Sequence, residues 1–86
     1  MEIVYSELAL EQIQYWKKSG NKKVIEKINI LLKDIQQTPY QGIGKPEPLK
    51  HNWSGYWSRR ITGDHRLVYK VENETIFVAQ LRFHYS

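Results

Sequence analysis

The spacing of the apolar residues changes halfway along the chain, and this change limits the possible folds most strongly. In the first 38 residues, apolar side chains recur every three or four positions, as on the buried face of a helix. After residue 48 they form short β-rich runs separated by glycine, asparagine and aspartate. Helices followed by strands are typical of an α+β protein. We therefore expect an α+β fold, with two helices on one face of a mostly antiparallel β-sheet.

The helical half carries clear start and stop signals. The run at residues 2–5 predicts a short N-terminal strand, and Ser6 can cap a helix that extends to about Lys18. Asn21 can cap a second helix, which Thr38-Pro39 should end. Because only a short break separates the two helices, we expect them to pack as an antiparallel hairpin.

The second half predicts a loop and then four strands. Residues 40–48 contain two glycines and two prolines and indicate a loop. Strands are predicted at residues 49–54, 57–62, 67–71 and 75–83. Short turns between them favour antiparallel pairing, and the sheet face opposite the helices can stay open to a ligand.

Length and composition favour a small cytoplasmic protein. A chain of 86 residues has room for one domain, which we expect to span residues 1–86. Cysteine is absent, which excludes disulfides and thiolate metal sites and fits a reducing compartment. The longest apolar run, residues 76–79, is far too short to cross a bilayer, so we expect no membrane span and no secretion signal.

The positive charge is concentrated in one segment. Lysine and arginine total 13 against 9 acidic residues, and the whole excess of four lies between Lys45 and Lys70. Such a concentration favours contact with phosphates. Small domains are often mildly basic without such a role, so nucleic-acid binding and an ordinary basic surface both remain open at this point.

The chemistry-bearing residues fit acid–base catalysis better than metal chemistry. The three histidines follow no metal-ligand spacing, and we expect neither metal nor cofactor. RNA supplies its own nucleophile, the 2′-hydroxyl, so its cleavage needs a base, an acid and cations. The suitable candidates are Glu47, Lys50, Arg59, Arg60, Arg66, His84 and Tyr85.

Each candidate also has an ordinary structural interpretation. Glu47 can be a solvated loop charge, and His84 can be an exposed strand end. Arg59 and Arg60 alternate along a strand, so at most one of them can face a given site. Trp53 and Tyr56 can stack on bases or lie at the surface, whereas Trp57 is expected in the core.

Several motifs resemble a known family. The run KPEPLKHNWSGYWSRRITGDHRLVY (Lys45–Tyr69), followed near the end by Arg82-Phe83-His84-Tyr85, resembles the YoeB toxins of the RelE/ParE superfamily. The order and spacing of these motifs agree over nearly the whole chain. Trp53, where a smaller aliphatic residue is usual, and the additional Ser86 depart from the family pattern.

The resemblance implies a bacterial type II toxin that cleaves mRNA in the ribosomal A site. It also implies a YefM-like antitoxin, the ribosome and mRNA as partners, and a homodimer. The implied roles are Glu47 as general base, His84 as general acid, Arg66 as the cation on the scissile phosphate, and Lys50, Arg60 and Tyr85 as substrate contacts.

Two other functions remain compatible with the resemblance. The ParE branch of the superfamily inhibits DNA gyrase without cutting RNA, and a toxin fold can also serve as a transcriptional co-repressor. The presence of both Glu47 and His84 favours the nuclease over these two.

Overall fold

A computed structural model describes residues 1–84 of the chain. The elements follow in the order β1 (Glu2–Tyr5), α1 (Glu7–Ser19), α2 (Lys22–Gln37), β2 (Glu47–Pro48), β3 (Trp57–Arg60), β4 (Arg66–Glu72) and β5 (Thr75–Gln80). A short 3₁₀ turn, His51–Trp53, lies between β2 and β3. The predicted α+β order is confirmed.

Both helices begin and end where the local signals predict. The Ser6 hydroxyl accepts a hydrogen bond from the Ala9 amide at 3.0 Å, and the Asn21 side chain accepts one from the Val24 amide at 3.2 Å. Each bond satisfies a helix N–H that has no partner within the helix. Helix α1 ends at Gly20, whose φ of 70° suits the left-handed cap of a helix.

The strands form one five-stranded sheet in the order β1-β5-β4-β3-β2. Strand β1 pairs with β5 in parallel, and the other three pairings are antiparallel. Strand β2 contributes two residues at the edge, where Glu47 lies opposite Ser58 and Pro48 opposite Trp57. The ladder between β4 and β5 shifts register at Val68/Tyr69.

The helices bury one face of this sheet. Leu31 and Ile35 of α2 and Ile76 of β5 are fully buried in the same apolar cluster. Trp57 is partly buried and packs against the cluster. On β5 the buried Ile76 and Val78 alternate with half-buried Phe77 and Ala79. Among residues 1–84, the second sheet face therefore carries no helix, as predicted.

The predicted strand at residues 49–54 is wrong. Residues 51–53 form the 3₁₀ turn, closed by hydrogen bonds from the Trp53 amide to the Lys50 carbonyl and from the Ser54 amide to the His51 carbonyl. His51 has a φ of 57°, which is incompatible with an extended strand. The strand instead lies earlier, within the segment predicted as a loop.

The last strand is shorter than predicted. It ends at Gln80, although the β-rich run extends to residue 83. The Gln80 side-chain amide donates to the Arg82 carbonyl at 2.8 Å and to the Phe83 carbonyl at 3.2 Å. Phe83 has a φ of 66°, which is incompatible with a continued extended strand.

Candidate functional site

The helix-free sheet face gathers three of the predicted site residues. Glu47 lies opposite Ser58, and Arg60 lies opposite Arg66 in the register of β3 and β4. Since side chains alternate along a strand, residues 58 and 60 share one face, and their partners 47 and 66 share it too. Strands β2, β3 and β4 therefore place Glu47, Arg60 and Arg66 on the face opposite the helices.

A cavity of about 440 Å³ adjoins Glu47 and is lined by residues 47–53. The exposed Lys50 lies in this lining, in extended backbone that leads into the 3₁₀ turn. His51, whose backbone is left-handed, also lines the cavity. The cavity brings together the carboxylate and the cation that the sequence predicts for the site.

The Arg66 side chain is held by the turn that precedes β4. Its Nη1 donates to the carbonyls of Thr62 at 3.0 Å, Gly63 at 3.3 Å and His65 at 3.1 Å. These bonds use one nitrogen of a guanidinium that has five N–H donors. The arginine is therefore oriented at the edge of the open face.

The C-terminal segment approaches Arg66 through its backbone. The Arg66 amide donates to the Phe83 carbonyl at 3.0 Å, and the Phe83 amide donates to His65 Nδ1 at 2.8 Å. His84 follows directly and is exposed. Tyr85, the remaining predicted substrate contact, lies outside the described residues.

The neighbouring Arg59 faces the opposite way and has a structural role. Its side chain is fully buried and binds the Asp34 carboxylate and the carbonyls of Thr38 at 2.7 Å, Gln41 at 2.8 Å and Ile43 at 3.2 Å. Only one of the two adjacent arginines faces the open side, as the strand alternation predicts. Arg59 anchors the loop that leads to Glu47.

Two partners of Arg59 have shifted pKa values, for different reasons. The hydrogen bond from Arg59, helped by one from the Ile43 amide, lowers the pKa of the Asp34 carboxyl below its usual value. Burial raises the pKa of the Tyr69 hydroxyl, which donates to the Pro39 carbonyl at 2.6 Å. Both residues keep residues 38–44 against the sheet.

Aromatic side chains flank the open face. Trp53 and Tyr56 are half-buried and meet edge to face, with ring centroids 5.2 Å apart. The Lys70 ammonium lies 5.3 Å from the Tyr56 ring and 5.5 Å from the Phe77 ring. Cations and aromatic rings on one surface are features of nucleic-acid-binding faces.

Sequence reasoning included Arg59 among the candidate catalytic cations, which its burial against Asp34 contradicts, and assigned no function to His65. Strand alternation indicated that Arg59 could point inward, but its partner Asp34 lies 25 residues away. His65 stands beside Arg66 in the motif HRLVY, and nothing in that motif indicates that its side chain binds residue 83.

Two further properties concern residues 1–84. Within them, no group of three or more His, Cys, Asp or Glu side chains is arranged to hold a metal ion. Neither described helix has the length and hydropathy needed to cross a membrane.

The fold is that of the small RelE-like toxins. Residues 5–85 match the family described as YoeB-like toxin of bacterial type II toxin–antitoxin system. The toxin YoeB of Escherichia coli strain K12 is 49% identical over 85 residues, which cover 99% of this chain and 100% of that protein. The chain belongs to the YoeB-like toxin family.

Solved structures agree with this membership. The chain is similar to the toxin in a YoeB-YefM complex from Staphylococcus aureus, with a TM-score of 0.91 and 46% identity. It is also similar to a YoeB dimer from that organism, with a TM-score of 0.91 and 45% identity. Each alignment covers 99% of this chain and 98% of the other.

Proposed function

We propose that the chain is a ribosome-dependent endoribonuclease that cleaves mRNA in the ribosomal A site. The observation that carries this proposal is the shared sheet face of Glu47, Arg60 and Arg66, with the segment before His84 bonded to the Arg66 backbone. Membership of a toxin family supports the same conclusion. The open face exposes these groups to an RNA strand.

The residues suit a reaction in which RNA supplies the nucleophile. The Glu47 carboxylate accepts the proton of the 2′-hydroxyl, and the 2′-oxygen forms a bond to phosphorus. The bond from phosphorus to the 5′-oxygen breaks, and the His84 imidazolium gives its proton to that oxygen. Arg66 stabilises the charge that develops on the phosphate. The products are a 2′,3′-cyclic phosphate and a 5′-hydroxyl.

The ribosome supplies what a chain of this size lacks. We assign Lys50, Arg60 and Tyr85 to substrate contact, but these few groups offer little surface to hold an RNA strand in line for attack. Positioning by the ribosome is worth several orders of magnitude in rate. We therefore expect free RNA to be cut slowly or not at all.

We also propose a YefM-like antitoxin and a second copy of the chain as partners. The Staphylococcus aureus structures of a YoeB-YefM complex and of a YoeB dimer support both. Carboxylates of an antitoxin segment would find Arg60 and Arg66 on an accessible face. Such a segment would compete with RNA for the same cations.

The mechanism is tested with a translating extract and a message that has one 2′-deoxy nucleotide immediately upstream of the cut. Primer extension should show cleavage of the ribose message and none of the deoxy message at that bond. Cleavage of both at equal rates would exclude the 2′-hydroxyl as nucleophile. Inhibition of DNA gyrase without RNA cleavage would favour the ParE-like alternative.

The residue roles are tested by single-turnover cleavage on preassembled ribosome complexes. Glu47→Gln and His84→Gln should each lower the rate by about 10²–10⁴-fold while ribosome binding changes little. Glu74→Gln is the matched control, because Glu74 is exposed in the turn between β4 and β5. Full activity of Glu47→Gln would assign the base to another group.

A further inference from the structure

His65 and Arg66 form hydrogen bonds with both backbone polar groups of Phe83, its amide and its carbonyl. The Phe83 amide donates to His65 Nδ1 at 2.8 Å, and the Phe83 carbonyl accepts from the Arg66 amide at 3.0 Å. His65, which precedes Arg66, thus binds Phe83, which precedes His84. The backbone bond depends on no side chain, whereas the first bond depends on the state of one imidazole.

Aromatic packing fixes the His65 ring. It meets the Trp16 ring edge to face at 4.9 Å, and the Phe83 ring lies 5.9 Å away. Trp16 is buried and donates from Nε1 to the Leu81 carbonyl at 2.9 Å. The imidazole therefore stands on a rigid support with Nδ1 directed at the Phe83 amide.

Accepting this bond requires a neutral imidazole. Nδ1 is an acceptor only when the ring proton is on Nε2, and in the imidazolium both nitrogens are donors. Protonation would turn an N–H toward the Phe83 N–H and remove the attraction. The bond between residues 65 and 83 is therefore present in one protonation state of His65.

The surroundings favour that neutral state. Burial lowers the pKa of His65, and the positive charges of Arg82, His84 and Arg66 lower it further. The Asp64 carboxylate opposes them. On the α1 side the ring meets Trp16, which does not titrate, and Tyr15 lies under the Arg82 guanidinium at 3.4 Å.

We propose that His65 is a positioning residue for RNA cleavage: its neutral imidazole holds the segment that carries His84 beside Arg66, and its protonation releases that segment. The inference rests on the proposed function, since it gives His84 a reaction to perform. His65 itself touches neither the substrate nor the reacting atoms.

The two histidines need opposite protonation states at the same pH. His84 must be protonated to act as the acid, whereas His65 must be neutral to hold the backbone. The positive charge of His84 disfavours a second charge on His65. Protonated His84 therefore helps to keep His65 neutral. We call the hydrogen bond from the Phe83 amide to neutral His65 the tether.

Two substitutions of His65 distinguish the effect of the Nδ1 acceptor from that of the aromatic ring. His65→Phe keeps an aromatic ring against Trp16 and removes the acceptor. His65→Asn removes the ring but places a carbonyl oxygen near the position of Nδ1 and does not titrate. Hydrogen exchange at the Phe83 amide of the purified toxin reports the tether without any assay of activity.

The expected results follow from a single exposed hydrogen bond. His65→Phe should speed exchange at the Phe83 amide by about two- to tenfold and slow single-turnover cleavage by at least as much, with unchanged ribosome binding. His65→Asn should keep exchange and cleavage within about twofold of the unmodified chain. In the unmodified chain, the Phe83 amide should lose protection as the pH drops below neutral, after correction for intrinsic exchange. In His65→Asn, the protection should not depend on pH in this range.

Other outcomes overturn the inference at distinct points. Equal protection of the Phe83 amide in His65→Phe and in the unmodified chain would disprove the tether. Lost protection with undiminished cleavage would disprove its role in positioning His84. If the unmodified chain cuts no message, the proposed function fails and the catalytic role of His65 fails with it, whereas the exchange measurement judges the tether separately.

Discussion

Replacement of Arg59 by methionine tests whether one buried side chain holds the loop that precedes Glu47. The arginine is fully buried and donates five hydrogen bonds, four of them to residues 34–43 and one to the Tyr69 hydroxyl at 3.3 Å. Arg59→Met retains most of the aliphatic stem and removes every donor. Three carbonyls and the Asp34 carboxylate then lose this partner.

The expected cost is large for so small a protein. The Asp34 carboxylate is partly exposed, so most of the cost comes from the Thr38, Gln41 and Ile43 carbonyls that lose their donor. Leaving one such acceptor without its partner costs about 1–3 kcal/mol. A chain of 86 residues has a total unfolding free energy of about 4–13 kcal/mol. The variant should therefore melt at least about 12 °C lower, because 1 kcal/mol corresponds to about 4–8 °C in a domain of this size.

The assay is thermal unfolding of purified toxin, followed by circular dichroism. Arg60→Met is the matched control, since Arg60 is the adjacent arginine of the same strand and is exposed. An exposed substitution should change the unfolding free energy by about 0.5 kcal/mol or less. Equal melting temperatures for the two variants would refute the structural role assigned to Arg59.

Three further predictions concern the same loop and the basic surface. Gly42→Ala should destabilise the fold by more than about 1 kcal/mol in urea unfolding, because Gly42 has a φ of 118° and a Cβ would lie 2.0 Å from Asp34 Oδ2. The control Gly63→Ala should not have this effect, because the space around Gly63 is open. Asp34→Asn should flatten the fall of the melting temperature in acid: the lowered pKa of Asp34 contributes stability that is complete above its ordinary value of 3.8 and is lost as the pH falls through the lowered pKa. Lys45→Ala, at an exposed lysine of the basic segment 45–70, should weaken ribosome binding and make its salt dependence shallower, and an unchanged slope in a binding titration would show that Lys45 contacts no phosphate.

Local signals were sufficient to predict the helices. Ser6 and Asn21 cap the helices that follow them, and Thr38 ends the second, because a capping side chain bonds to an amide three residues away. Helix ends of this kind depend on their own neighbourhood in the sequence. The predicted placement of two helices on one sheet face likewise followed from their apolar spacing.

The region around the cavity could not be predicted in the same way. The β-rich composition of residues 49–54 favoured a strand, but the backbone at His51 is left-handed and Pro48 pairs with Trp57 instead. That pairing is a tertiary effect, which overrides local preference. The motif that contains Glu47 predicted a candidate base, whereas the shape of its surroundings depends on contacts across the sheet.

The polar anchors were beyond sequence reasoning for a related reason. Arg59 meets Asp34 across 25 residues, and His65 meets the Phe83 amide across 18. A single sequence contains no signal that pairs residues at such distances. What could be predicted was that only one of the two adjacent arginines can face the site, because that depends on strand alternation alone.

Glu47 lies in the short edge strand β2 and His84 lies beyond the end of β5, and a titratable side chain holds the segment that precedes each of them. Asp34, with Arg59, holds the loop before Glu47 and accepts a hydrogen bond from the Ile43 amide at 3.1 Å, and the negative charge of the carboxylate strengthens both contacts. His65 holds the segment before His84 and must be neutral. Acid therefore weakens the contacts of both segments, by protonating Asp34 in one case and His65 in the other.

The pH at which each segment is released depends on the pKa of the side chain that holds it. Burial lowers the pKa of His65 from its ordinary 6.5, and the hydrogen bond from Arg59 lowers that of Asp34 from its ordinary 3.8, so the imidazole starts from the higher value. The His84 segment should thus be freed at a higher pH than the Glu47 loop. Hydrogen exchange measured across pH 3–7 should show the Phe83 amide losing protection first and the Ile43 amide only in stronger acid. Loss of both protections at one pH would mean that global unfolding, not the separate protonation of His65 and Asp34, governs the response to acid.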